Sequence, residues 1–95
     1  MRVQDDMDDE RSAAVDTALR ELMTSVLGVE PERVIDFTDD TELFGALPEL
    51  DSMAVAQLLT AMEDRLNILI DDDDIDGDVF ADFGSLKRFA VAKLG

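Results

Sequence analysis

The 95-residue chain has no cysteine, histidine, tryptophan or tyrosine. Without cysteine there is no disulfide framework and no protein thiol chemistry. Without histidine there is no Ser-His-Asp triad and no His-containing metal site. Positive charge is scarce, with eight Lys and Arg against 24 Asp and Glu, a net charge of −16. Nucleic acid is thereby excluded as a partner, because phosphate binding wants a basic patch. Arg65 is the only base between Arg33 and Lys87, an interval that holds fifteen acids. A field of one sign on this scale steers positively charged partners and costs some stability through self-repulsion. No apolar run approaches membrane-spanning length and no signal-peptide pattern opens the chain, so a cytoplasmic protein without membrane contact is expected.

What is present is a core-forming apolar fraction of 46%, enough for one small domain. Residues 1–9 are polar, acidic and without period, and are expected to be a loose tail. A single domain then fills 10–95. Its first helix is expected from about Glu10 to Leu27, with Val15, Leu19, Leu22, Met23 and Val26 inward and Gly28 as a left-handed cap. Glu30-Pro31-Glu32-Arg33 reads as a turn or a short helical step. The connection from Val29 to Glu49 is long, so Val34, Ile35, Phe37, Leu43, Phe44 and Leu47 are expected to pin it over the core.

The stretch from Leu50 to Leu66 reads as the central helix. Val55, Leu58, Leu59, Met62 and Leu66 recur at spacings of three and four. Pro48 stops any earlier helix, and Asp51 or Ser52 can cap this one. Ser52 therefore stands where the backbone N–H groups and the positive dipole end favour an attached or bound phosphate. Ile68, Leu69 and Ile70 follow as an apolar patch, and a short third helix is expected around Asp78 to Asp82. The last helix starts at Gly84 or Ser85, turns Leu86, Phe89, Ala90 and Leu94 inward, and carries Lys87, Arg88 and Lys93. The fold class is all-α, a four-helix bundle of three main helices and one short one.

Asp51-Ser52-Met53, with a striped helix behind and an acidic loop in front, resembles the modification site of acyl carrier proteins. The resemblance spans about Arg11 to Leu94. It implies a protein that is not an enzyme. Ser52, beside Asp51, would bear a covalent 4'-phosphopantetheine arm, whose thiol carries acyl or aminoacyl groups as thioesters. It also implies a phosphopantetheinyl transferase and acyl-loading and acyl-transfer enzymes with basic docking patches as partners, met by a monomer. Met53, Ala56, Gln57, Thr60, Glu63 and Asp64 form the outward face that such partners touch. Leu58, Met62 and Leu66 would line the gap that shelters an acyl chain, although plain core packing also explains them. Ala56 and Gln57 are less acidic and less bulky than many relatives have there. Glu49 stands where many fatty-acid carriers have glycine. These departures suggest a specialised stand-alone bacterial carrier of a secondary or cell-surface assembly pathway, not the housekeeping carrier of fatty acid biosynthesis.

A second reading starts from Asp72-x-Asp74-x-Asp76-Gly77, which matches the first half of an EF-hand calcium loop. The position of the closing glutamate is held by Phe83, so this alternative lacks the ligand that sets affinity and geometry.

Overall fold

A computed structural model describes the backbone of residues 3–94 and the side chains of residues 10–94. Four α-helices follow in order: α1 (Val3–Ser25), α2 (Pro31–Val34), α3 (Ser52–Leu66) and α4 (Phe83–Leu94), with a 3-10 turn at Asp72–Asp74 between α3 and α4. The α1 helix packs against α2, α3 and α4. The expected all-α bundle of three long helices and one short one is thus present, with the short helix second in order, not third.

The first helix starts at Val3, not near Glu10, so the stretch expected as a tail has a helical backbone from Val3 onward. An acidic sequence without apolar period hides such an extension, yet negative charge near a helix N-terminus is favoured by the dipole. Val15, Leu19, Leu22 and Met23 are buried as the period demands, and Ala18 joins them. Gly28, at φ +76°, turns the chain out of the helix. Its N–H donates to the Thr24 carbonyl (3.1 Å) and that of Val29 to the Met23 carbonyl (3.1 Å).

The long connection is packed down through Val34, Phe37, Leu43, Leu47 and Leu50, all buried. Ile35 and Phe44 depart from expectation, with 76% and 58% of their surface exposed. Arg20 of α1 holds the connection from beneath, donating to the carbonyls of Val34 (2.6 Å) and Phe37 (2.9 Å). Arg33 closes its far end on Glu49 at 2.7 Å.

No helix forms over residues 78–82. Val79 and Ala81 donate to the carbonyls of Asp76 and Asp78, both 3.2 Å, in turns. The Phe80 and Ala81 carbonyls, which a helix would need for its next turn, accept from Phe44 (3.0 Å) and Leu43 (3.2 Å) instead. A single antiparallel bridge, Glu42 to Asp82, fixes this crossing. The α4 helix therefore begins at Phe83, one residue before the expected start. Asp82 accepts the Ser85 N–H at 2.7 Å, and that hydrogen bond draws its pKa below the usual carboxylate value. Leu86 and Ala90 are buried as expected, while Phe89 and Leu94 are half-buried at the rim.

Among the described residues, no helix is long and apolar enough to cross a membrane.

Candidate functional site

Asp51 is the N-cap of α3, in extended conformation, and its Oδ1 accepts the Ala54 N–H at 2.8 Å. Its carbonyl accepts the Val55 N–H at 2.9 Å. The capping function therefore falls to Asp51, and Ser52 becomes the first residue of the helix, exposed to solvent. Its hydroxyl is free of the cap and stands at the positive end of the helix dipole. Upstream, the Arg33–Glu49 ion pair ties α2 to the segment just before the cap. The Arg33 hydrogen bond holds the Glu49 carboxyl below its usual pKa. The glutamate in the glycine position is thus used to anchor the loop.

A cavity of about 250 Å³ opens beside Ser52, lined by Phe44, Val55, Asp76, Gly77 and Phe80. The acyl-lining residues expected from the helical stripe are elsewhere. Leu58 and Met62 are completely buried in the core and Leu66 is half-buried. None of the three borders this cavity. The inward line of α3 runs through Ala54, Leu58 and Met62, which leaves Val55 to face the space beside Ser52. Phe44 was legible in sequence only as an apolar residue of the long connection, and Phe80 only as part of the short helix expected around Asp78 to Asp82. The crossing of their backbones, Phe44 N to Phe80 O, is what brings both rings to the serine.

On the outward face, Met53 is 71% exposed, and Ala56, Gln57, Thr60 and Asp64 are exposed as well. Glu63 is not free there. It is half-buried and its Oε2 accepts the Ile70 N–H at 2.8 Å, pinning the chain after the helix. That chain leaves α3 through Asn67 at φ 56°, a left-handed cap.

The acidic loop gives the calcium reading no support. Asp74 pairs with Lys93 at 2.5 Å, and Asp76 accepts the Asp78 N–H at 3.0 Å. Among the described residues, no three carboxylates are grouped to hold a metal ion.

An exposed hydroxyl on the first turn of a capped helix in a small helical bundle is the arrangement that the resemblance to acyl carrier proteins implies for the attachment serine. The family model described as "Phosphopantetheine attachment site" matches residues 17–90. A solved structure, the solution NMR structure of a holo acyl carrier protein from Nitrosomonas europaea, is similar at 39% sequence identity and a TM-score of 0.75. The match covers 84% of this chain and 94% of that one. Comparison with curated proteins gives no match. The chain belongs to the phosphopantetheine-attachment family of acyl carrier proteins. It is a carrier protein with a covalently attached 4'-phosphopantetheine arm, a class that is generally not catalytic and that interacts with a phosphopantetheinyl transferase and acyl-handling enzymes.

Proposed function

We propose that Ser52 is the attachment point of the arm and that the chain carries acyl or aminoacyl groups between separate active sites. One observation carries this assignment: of the four serines in the chain, Ser52 alone joins exposure with the start of a long helix. Ser12 and Ser25 lie within α1 or at its end. Ser85 lies inside the first turn of α4, its Oγ accepting from Arg88 at 3.1 Å. The surroundings of Ser52 fit the group. The helix start favours the negative charge of a phosphodiester on Oγ. The cavity lined by Phe44, Val55 and Phe80 gives apolar cover next to it. The arm supplies the terminal thiol that this cysteine-free sequence lacks. The chain's own contribution is to hold the hydroxyl out, rigidly and without a base, and to raise the local concentration of cargo at each enzyme it meets.

The carrier domain spans residues 10–95, and Met53, Ala56, Gln57, Thr60 and Asp64 are its outward contact face. The Arg33–Glu49 anchor, in place of a glycine-containing approach to the serine, supports a specialised assembly pathway over housekeeping lipid synthesis. Coexpression with a phosphopantetheinyl transferase tests the assignment: the intact protein gains the mass of one arm. A chain that never gains it contradicts the reading.

A further inference from the structure

Every aspartate in this chain is followed by a residue with a side chain except Asp76, which precedes Gly77. The distinction is chemical. The amide nitrogen after an aspartate can attack that aspartate's own carboxyl, and a Cβ on the attacking residue crowds the approach. Other conditions for the attack meet at this bond. Both residues are exposed, in the turn that follows the 3-10 segment. The Gly77 N–H donates no hydrogen bond among the described residues, so no partner holds the nitrogen back. Asp76 Oδ1 accepts the Asp78 N–H at 3.0 Å, which folds the carboxyl over the main chain at Gly77. An atom added at the Cβ position of Gly77 would meet nothing within 4 Å, so there is room for a ring to close. Asp51 and Asp82 show the opposite. Asp51 Oδ1 is held by the Ala54 N–H at 2.8 Å, and the residue after it is Ser52. Asp82 Oδ1 is held by the Ser85 N–H at 2.7 Å, and the Phe83 N–H is tied to the Thr41 carbonyl at 2.9 Å.

We propose that the Asp76–Gly77 bond is a site of spontaneous isomerisation in the folded chain, and that the conversion rebuilds the wall of the cavity beside Ser52. The Gly77 amide nitrogen attacks Cγ of the Asp76 carboxyl in its protonated form. A Cγ–N bond forms and a Cγ–O bond breaks. The hydroxyl leaves with the amide proton as water, and a succinimide ring closes. Water then adds to either ring carbonyl. Breaking the new Cγ–N bond restores aspartate. Breaking the original main-chain bond to nitrogen instead leaves Gly77 attached through Cγ, as isoaspartate, with the former main-chain carbonyl carbon now a free carboxylate. Mass and charge are unchanged, but the main chain gains a methylene. The flanks cannot take it up freely. Asp74 is paired with Lys93 at 2.5 Å on one side, and the Phe80 carbonyl accepts the Phe44 N–H at 3.0 Å on the other. The extra carbon therefore displaces the segment between them, where Asp76 and Gly77 themselves line the cavity.

The test holds the full chain in warm, mildly acidic buffer, folded by circular dichroism, beside a second sample unfolded in urea. Isoaspartate is read by methyl transfer from S-adenosylmethionine with an isoaspartyl methyltransferase, and its position by peptide fragmentation. The expected result is isoaspartate at position 76 in the folded chain, formed at a rate within severalfold of that in urea. Position 51 stays unconverted while the chain is folded. Gly77→Ala slows conversion severalfold, and Asp76→Glu loses the signal, because the longer side chain does not close the same ring. In the converted chain the amide resonances of Ser52, Val55 and Phe80 shift from those of the fresh chain. An Asp76 that converts in urea but not in the folded chain overturns the proposal, as does a folded-chain signal that survives Asp76→Glu. Conversion that leaves the three resonances in place overturns the effect on the cavity. None of these outcomes depends on which serine bears the arm.

Discussion

The guanidinium carbon of Arg20 lies 4.9 Å from the centroid of the Phe83 ring. Arg20 belongs to α1 and Phe83 opens α4, so this contact joins the two helices that flank the core. The same guanidinium donates to the carbonyls of Val34 and Phe37 in the long connection. Phe37 in turn meets Phe83 edge-on, ring centroids 5.6 Å apart. A planar, always-charged fork can satisfy two carbonyls, a carboxylate and a ring face at once, which an ammonium cannot. Arg20 is thus one of the ties that fasten the segment leading into the Ser52 helix to the bundle.

Arg20→Ala removes two charge-assisted hydrogen bonds to backbone and leaves their carbonyls to find water. The expected loss is about 2–3 kcal/mol of stability, read as a lowered urea midpoint, with earliest loss of amide protection over residues 34–43. Arg20→Lys recovers less than half of it. A variant that keeps the wild-type midpoint contradicts this role.

Gly84 lies against the same connection from the other side. A Cβ placed on it would stand 2.8 Å from Asp39 Cβ and 2.9 Å from the Asp39 carbonyl oxygen. That carbonyl already accepts the Gly84 N–H at 2.9 Å, so it has nowhere to retreat. Gly84→Ala is expected to cost about 1–3 kcal/mol, as overpacking does, despite the better helix propensity of alanine. Gly77, with nothing within 4 Å of the added Cβ, is the control: Gly77→Ala leaves the melting temperature near that of the wild type.

Asp16 and Lys87 contribute to the dependence of the fold on pH. Lys87 bridges Asp39 at 2.7 Å and Asp16 at 3.1 Å. Partial burial pulls the Asp16 carboxyl up, but the hydrogen bonds from Arg20 and Lys87 outweigh it and set the pKa below the usual 3.8. The hydrogen bond to Asp39 lifts the Lys87 ammonium above its usual 10.5, against the opposing pull of burial. A depressed carboxyl binds fewer protons folded than unfolded, so its contribution is complete above the unfolded value and fades as pH falls through the folded one. A raised ammonium contributes fully below 10.5 and loses its contribution as pH climbs through the folded value. Asp16→Asn is accordingly expected to destabilise by about 1–2 kcal/mol at neutral pH. The gap to wild type closes progressively below about pH 4. Chemical denaturation at pH 3, 5 and 7 checks this, and a gap independent of pH contradicts it.

The three long helices were legible because their apolar residues repeat at three and four. The cap at residue 51 or 52 was legible because Pro48 and a short polar pair mark a start. The packing of Val34, Phe37, Leu43 and Leu47 followed from how apolar the connection is. Its exposed members, Ile35 and Phe44, could not be told from the buried ones, since an irregular segment has no period to assign a face. The helix expected over residues 78–82 failed for a non-local reason: its carbonyls are taken by residues 43 and 44, far away in sequence. The cavity beside Ser52 was missed on the same ground, because it is made by that crossing and not by the stripe of α3. Glu63 was expected on the outward face and Arg20 was not singled out, because the partners of both lie in irregular segments far along the chain. Arg20 follows Asp16 by four residues, the spacing of an ion pair within a helix, but nothing in that spacing points the guanidinium at the carbonyls of Val34 and Phe37.

The central claim is that the arm is carried by one particular hydroxyl among four. Peptide fragmentation of the chain after coexpression with a phosphopantetheinyl transferase locates the added mass directly, with Ser52→Ala as the folded, unmodified reference. The expected result places the arm on the peptide containing residues 51–53 and on Ser52 itself, and shows none in the variant. An arm found on Ser12, Ser25 or Ser85, or still present in Ser52→Ala, would contradict it.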